Sequence, residues 1–386
     1  MKVLVHMIPF FLALYACESA FPSVPDPSTT LDGPTDGLSP SENAAFIRGD
    51  RLFNDVVFTS ANGLGPIFVA PSCGSCHPAD GKGHPSLMVT KFTGGFGSPQ
   101  LQNRSIVGYE PEILPVSANS AQFLAPSVSG LGFIEAVSDN TILEWEDVDD
   151  DNGDGISGRV SWVNRPSYSP LRPNSIEQNG KVIGRFGKKA SKFDLLHQTA
   201  TAFSQDIGIV STHEPISPFN GLSEDPEITE QAINDVVLYL RMLKVPPRRG
   251  VGTSSVMSGQ VTFIRIGCAS CHRPSMETTV SPISALSRKQ IFPYSDFLLH
   301  DMGIELTDGY TEGTATTSEW RTAPLWGIGL SKYSQGGRMF LLHDGRATSV
   351  HEAIMYHGGE AQTSKMEYLS MPSHERANLL QFLESL

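Results

Sequence analysis

The chain has 386 residues, is 39% hydrophobic and 18% charged, and carries a formal charge of -13. That length accommodates two domains of ordinary size, and the composition is that of a soluble globular protein. The acidic balance excludes a nucleic-acid-binding chain and a polybasic membrane surface, and leaves room for docking a basic partner such as a cationic electron carrier.

Residues 1–16, MKVLVHMIPFFLALYA, join one lysine to a short apolar run and a small residue, the pattern of a signal peptide. The run is too short for a secure transmembrane helix. Cys17 follows directly, as in a lipoprotein box, so its acylation would hold an exported chain on a membrane. Tyr15 is an unusual occupant of such a box, and simple cleavage is the alternative. Residues 18–40 contain five prolines and no Lys or Arg. With Cys17 they read as a disordered lipoprotein tether, and order is expected from about Ser41.

Two similar passages follow. ENAAFIRGDRLFND has a helical pattern and leads through a glycine-containing loop to CGSCH at 73–77. SSVMSGQVTFIRIG runs straight into CASCH at 268–272. Each half also closes alike. EITEQAINDVVLYLRMLKVPP places Ile233, Val236, Val237, Leu240 and Leu243 on one helical face and stops at Pro246-Pro247. SHERANLLQFLESL repeats the spacing with Leu379, Leu380, Leu383 and Leu386. An opening helix, a C-x-x-C-H, a long middle and a closing helix make up the plan of a cytochrome c domain. The fold class expected is therefore mostly α, with two tandem cytochrome c-like domains at 41–250 and 251–386 and few, short strands.

Once Cys17 is assigned to acylation, the remaining cysteines are Cys73, Cys76, Cys268 and Cys271, all in C-x-x-C-H. In that motif the two thiols reach the two vinyl groups of one porphyrin, and the next residue supplies the proximal nitrogen to iron. A zinc site would draw four ligands from paired clusters, and a redox dithiol would sit in a βαβ setting. Neither explains a histidine after both pairs. Two haem c groups are expected, on His77 and His272. The second axial position decides the chemistry. His351 and His357 in LLHDGRATSVHEAIMYHGGEA point different ways on a helix, and His357 precedes Gly358-Gly359, where a helix could end. His84 and Met88 are candidates at the first haem by spacing alone.

EDVDDDNGDGISG is a second dense constellation. Asp150, Asn152 and Asp154 fit the start of a D-x-[DN]-x-[DN]-G calcium loop, but Ser161 stands where an EF-hand has glutamate. A bound Ca2+ completed from elsewhere and a solvated acidic loop both remain open. Arg185 is a candidate partner for a haem propionate, and Trp326 for a position between the haems.

From Glu42 to Leu386 the chain resembles the bacterial di-haem cytochrome c peroxidase superfamily, and within it the di-haem thiol oxidoreductase branch. GCASCHRP, PYSDFLLHDMG, EWRTAPLWGIG, LLHDGRA with EAI, and HGGEA carry the resemblance, with GLGFIEAVSD, DDDNGDGISGR and GRFGKKA in the first half. The resemblance implies His272 and His357 as the two axial ligands of the second haem, His357 standing where the peroxidases have methionine. By order along the chain, it implies Glu135 as the catalytic carboxylate beside the first haem. The expected function is a periplasmic di-haem peroxidase taking electrons from a cytochrome or cupredoxin. The alternatives are a thiol oxidoreductase working at haem iron and a non-catalytic electron carrier.

Overall fold

The computed structural model describes residues 30–93 and 98–386. The signal-peptide pattern and Cys17 lie outside the described residues. Helix α1 (Pro40–Asp50) starts at a capping box. Ser39 Oγ accepts from the Glu42 N–H at 3.3 Å, and Glu42 Oε2 accepts from the Ser39 N–H at 2.7 Å. The chain continues through one π-helical turn, Arg51–Asp55. Then come α2 (Cys73–Cys76), α3 (Leu131–Glu135), α4 (Asp139–Leu143), α5 (Leu195–Ile207) and α6 (Glu230–Met242). The second half holds α7 (Ser254–Arg265), α8 (Ser331–Ser334), α9 (Val350–Met355), α10 (Gln362–Ser370) and α11 (Ser373–Ser385). The described strands are two to four residues long and pair in two-stranded ladders, apart from one three-stranded antiparallel sheet of 161–164, 181–184 and 177–178.

The four helices read from apolar spacing are α1, α6, α7 and α11, and they pack as two crossings, α1 on α6 and α7 on α11. The physical reason is the same glycine in each. A Cβ on Gly49 would strike the Asp235 carbonyl oxygen, and one on Gly259 would strike that of Asn378. With hydrogen at these positions the helix backbones touch, as they could not across any larger residue. Phe53, just past α1, then packs 5.4 Å from Tyr239 of α6, and Phe263 of α7 packs 5.3 Å from Phe382 of α11.

Two expectations change. Residues 30–38, read as tether, are packed. Leu31 is buried, Thr35 N–H bonds the Met242 carbonyl at 2.7 Å, and Lys244 N–H bonds that of Gly33 at 3.0 Å. Backbone pairing satisfies groups that composition alone assigned to water. The boundary at 250 separates the helix pairs but not the cores. Met276, Ile283, Leu286, Ile291, Phe297 and Trp326 join the main apolar cluster of the first half. A smaller cluster built on Phe263, Tyr294, Leu379 and Phe382 serves the second.

The repeat extends into the irregular middles. An isolated bridge joins Phe186 to Lys192, and another joins Leu341 to Ala347. Each bridge closes a loop of the same length. Each is followed at the same distance by a helix N-cap, Asp194 of α5 or Ser349 of α9. Carried forward, this register sets His357 opposite Ala202.

Candidate functional site

Both C-x-x-C-H runs fold as the same turn. The His77 N–H bonds the Cys73 carbonyl at 3.0 Å, and the His272 N–H bonds that of Cys268 at 3.0 Å. Each imidazole is then oriented identically. His77 Nδ1 donates to the Pro126 carbonyl at 2.8 Å and His272 Nδ1 to that of Tyr294 at 2.8 Å. Fixing the proton on Nδ1 leaves the Nε2 lone pair for a metal. Burial drives both rings to about 4, despite these bonds, so each is neutral as a ligand must be. Burial also pushes the Cys73, Cys76 and Cys268 thiols up to about 12. A reactive dithiol has the opposite shift.

His357 is built to the same rule. It follows the end of α9, its Nδ1 donates to the Ala353 carbonyl at 2.7 Å, and burial lowers it as well. Its charge weighs on that of His272, so the two rings share one region. The other histidines of that run are engaged elsewhere. His351 Nδ1 meets the Tyr368 hydroxyl at 2.7 Å, and His343 stacks on Trp320 at 3.7 Å, with Lys189 Nζ also 3.7 Å from the centre of the Trp320 ring. His84 is exposed, with Nδ1 taken by Ser86.

Glu135 has a different surrounding from that of a free base. Arg241 Nε donates to Oε2 at 2.5 Å, the Leu195 N–H donates to Oε1 at 2.9 Å, and Arg172 lies 3.7 Å away. Burial alone would raise its pKa, but Arg241 and Arg172 together bring it below the ordinary value of 4.5. An ionised carboxylate held by these fixed donors anchors α5 and α6. Its contacts match a buried anchor and not the free catalytic carboxylate that the resemblance implies.

The carboxylate that sequence reading missed is Asp206, near the end of α5. It is partly buried, accepts from Gln100 Nε2, and its charge is felt by both Cys73 and Cys76. Burial raises its pKa, with the Gln100 bond and the Lys91 and Lys192 charges working against the rise. Gln100 and Gln102 also donate to the Gln205 carbonyl, at 2.9 and 2.5 Å, so a polar group gathers on this side of the first loop. Asp206 stands far from any motif, and only the repeat register could have drawn attention to that helix.

Arg185, a propionate candidate by sequence, is wholly buried and engaged by Asp139 and the carbonyls of Ile134 and Val137. Other cations are left over. Among the described residues neither Lys82 nor Lys188 has a hydrogen-bond or ion-pair partner for its ammonium. Burial lowers Lys82 to about 8 and Lys188 well below its usual value, with Lys82 and Arg321 adding to the latter. Lys188 also weighs on the His77 ring. Both are partly buried and feel the charge of Asp344, and cations so placed near His77 fit an anionic group such as a haem propionate. Trp326 is buried and its ring lies against Gly130, so it bridges the two halves.

In the acidic loop, side chains serve the loop's own backbone. Asp150 accepts from the Gly155 N–H at 3.1 Å, Asn152 Oδ1 from that of Asp154 at 2.8 Å, and Asp154 from that of Ile156 at 3.0 Å. Among the described residues no helix is long and apolar enough to cross a membrane.

A family model described as "Di-haem oxidoreductase, putative peroxidase" matches residues 120–223 and 220–386. No curated protein matches the chain. Among solved structures, a hydrazine synthase of Kuenenia stuttgartiensis is 14% identical with a TM-score of 0.38, covering 100% of each chain. A MauG-like protein associated with microbial copper homeostasis is 15% identical with a TM-score of 0.42, covering 95% of this chain and 94% of its own. A variant of the diheme peroxidase BthA of Burkholderia thailandensis is 16% identical with a TM-score of 0.44, covering 94% and 88%. The family match takes in the second C-x-x-C-H, His357 and most of the chain, and on it the protein belongs to the di-haem oxidoreductase family.

Proposed function

We propose that the protein is an exported di-haem c oxidoreductase that reduces hydrogen peroxide to water, with electrons from a small cytochrome or cupredoxin. One observation carries the reading. Two similar loops each present an imidazole whose Nδ1 is held by a backbone carbonyl, and among the described residues a third ring of the same build, His357, acts electrostatically on His272. Cys73 and Cys76 would hold the first haem and Cys268 and Cys271 the second. Nε2 of His77 and of His272 would be proximal ligands, and Nε2 of His357 would complete the second iron. Bound there, the haems supply the iron at which the O–O bond is cleaved and the two one-electron carriers that a two-electron reduction needs.

The chain's own residues divide the remaining work. Ala202, in the register of His357, offers no ligand, which leaves the first iron accessible. Asp206 takes a proton from one peroxide oxygen and returns it to the other, which leaves as water. Two protons from solvent and two electrons convert the remaining oxygen into the second water. Lys82 and Lys188 pair with propionates, and Trp326 fills the space between the halves.

An EPR spectrum of the oxidised protein tests this. The expected result is a high-spin ferric signal beside a low-spin bis-imidazole signal, with the first lost on adding peroxide. Asp206→Asn keeps both signals and lowers peroxide turnover about 100-fold. Two low-spin signals indifferent to peroxide would overturn the peroxidase and leave an electron carrier.

A further inference from the structure

The second half contains a buried charge cluster that haem attachment and iron ligation do not use. His300 is 2% exposed and lies between two carboxylates. Its Nε2 is 2.9 Å from Asp296 Oδ2, and its Nδ1 is 2.6 Å from Glu360 Oε2 and 3.6 Å from Cys271 Sγ. With a carboxylate at each ring nitrogen, the arrangement is satisfied when both nitrogens carry protons. Burial would lower the pKa of this ring, yet the bonds to Asp296, Cys271 and Glu360 raise it well above its ordinary value. Cys271, Asp296 and His300 bring ligand-type atoms within 4.8 Å of one another. Cys271 is the attachment point of the second haem, so the group borders that haem and is no separate metal site.

Glu360 ties this cluster to the loop that carries His357. Its Oε1 accepts from the Asp301 N–H at 2.9 Å, and its Oε2 accepts from the Ser157 N–H at 3.0 Å as well as facing His300. Between His357 and Glu360 stand two glycines whose backbone lies directly on another strand of chain. A Cβ on Gly358 would meet the Met302 carbonyl oxygen at 3.1 Å, and one on Gly359 would strike that of Asp301. Gly303, at φ +75, faces Gly359 N from the other side. The runs LLHDMG and HGGEA are thus two faces of one clasp. Its glycines permit the contact and its glutamate holds it.

We propose that Glu360, held by His300 and the Asp301 N–H, is the positioning residue that fixes His357 opposite His272, and that Ser157 extends the clasp to the first half. This rests on His357 being an iron ligand. His357 stands between the end of α9 and the three-residue turn Gly359–Ala361 that carries Glu360, so its position depends on how that turn is held as well as on α9. With Glu360 clasped, the imidazole stays at the iron; without it, the turn moves and the ligand exchanges.

The test uses the holoprotein and two variants, Glu360→Ala and Glu360→Gln, the second keeping the shape and one acceptor oxygen. Low-spin EPR of the oxidised protein and the rate of carbon monoxide binding to the reduced second haem are measured, because carbon monoxide binds that iron only after His357 leaves. Glu360→Ala is expected to weaken the bis-imidazole signal and speed carbon monoxide binding about tenfold. Glu360→Gln is expected to shift both in the same direction by less. The first-haem spectrum is the internal control, and if Glu360→Ala disturbs it, Glu360→Gln decides. A bis-imidazole signal and binding rate unchanged in the deciding variant would overturn the clasp alone. A wild-type protein with no bis-imidazole signal would overturn the assignment of His357, and the clasp with it.

Discussion

The two halves are alike around their C-x-x-C-H histidines and unlike in the helices α5 and α9 that follow them. Around the histidines, each has a glycine crossing, a phenylalanine beside the ring, a C-x-x-C-H turn and a carbonyl on Nδ1. In the helices, the second half ends α9 early and turns His357 inward, whereas the first continues α5 past Ala202 to Asp206. On the proposed reading, the shared construction is what holding a haem would require, and the divergent one is what would select the chemistry at the iron.

The largest expected effect comes from breaking the shared part. Replacing Cys73 and Cys76 together by serine, or Cys268 and Cys271, should each remove one covalent haem. The alkaline pyridine spectrum should fall to about half per chain in both cases. A full haem content in either variant would end the picture of two equivalent attachment loops.

Glu135→Gln separates anchoring from chemistry. It removes the charge that holds Arg241 and Arg172, and should cost about 3 kcal/mol of stability in thermal unfolding. The pH dependence has a definite sign. A carboxyl whose folded pKa lies below 4.5 stabilises the fold above its unfolded value. That contribution disappears as pH falls through the depressed folded value. The wild-type protein should therefore lose stability on acidification below about pH 4.5 more steeply than Glu135→Gln. Equal stability of the two at neutral pH would count against the anchor.

The helix crossings provide the finest comparison. Gly49→Ala and Gly259→Ala each force a methyl group onto a facing carbonyl, Asp235 in one half and Asn378 in the other. Each should cost about 1–3 kcal/mol in denaturant unfolding. If only one of them does so, the crossings are not equivalent despite their matching sequence.

Much of this was legible in the sequence because it depends on neighbours along the chain. Apolar spacing marked α1, α6, α7 and α11, and C-x-x-C-H marked two loops of like build, since a motif of five residues carries its own chemistry. The reading of His357 as a ligand came through the resemblance to a family. The roles of Glu135 and Arg185 could not be read this way. A buried carboxylate is a base or an anchor according to what faces it, and the groups facing Glu135 come from Arg172, Leu195 and Arg241. Residues 30–38 looked like tether because proline-rich composition says nothing about a distant strand of chain at 242–244 with open backbone groups.

The sequence by itself determined the local chemistry of this protein: which helices form, which cysteines and histidines can take a haem, and that the plan occurs twice. The tertiary structure decided which carboxylate stands beside the first loop, which cations are left unpaired, and what holds the turn after His357. Those are matters of desolvation and of partners distant in sequence, and both arise only when the chain has folded.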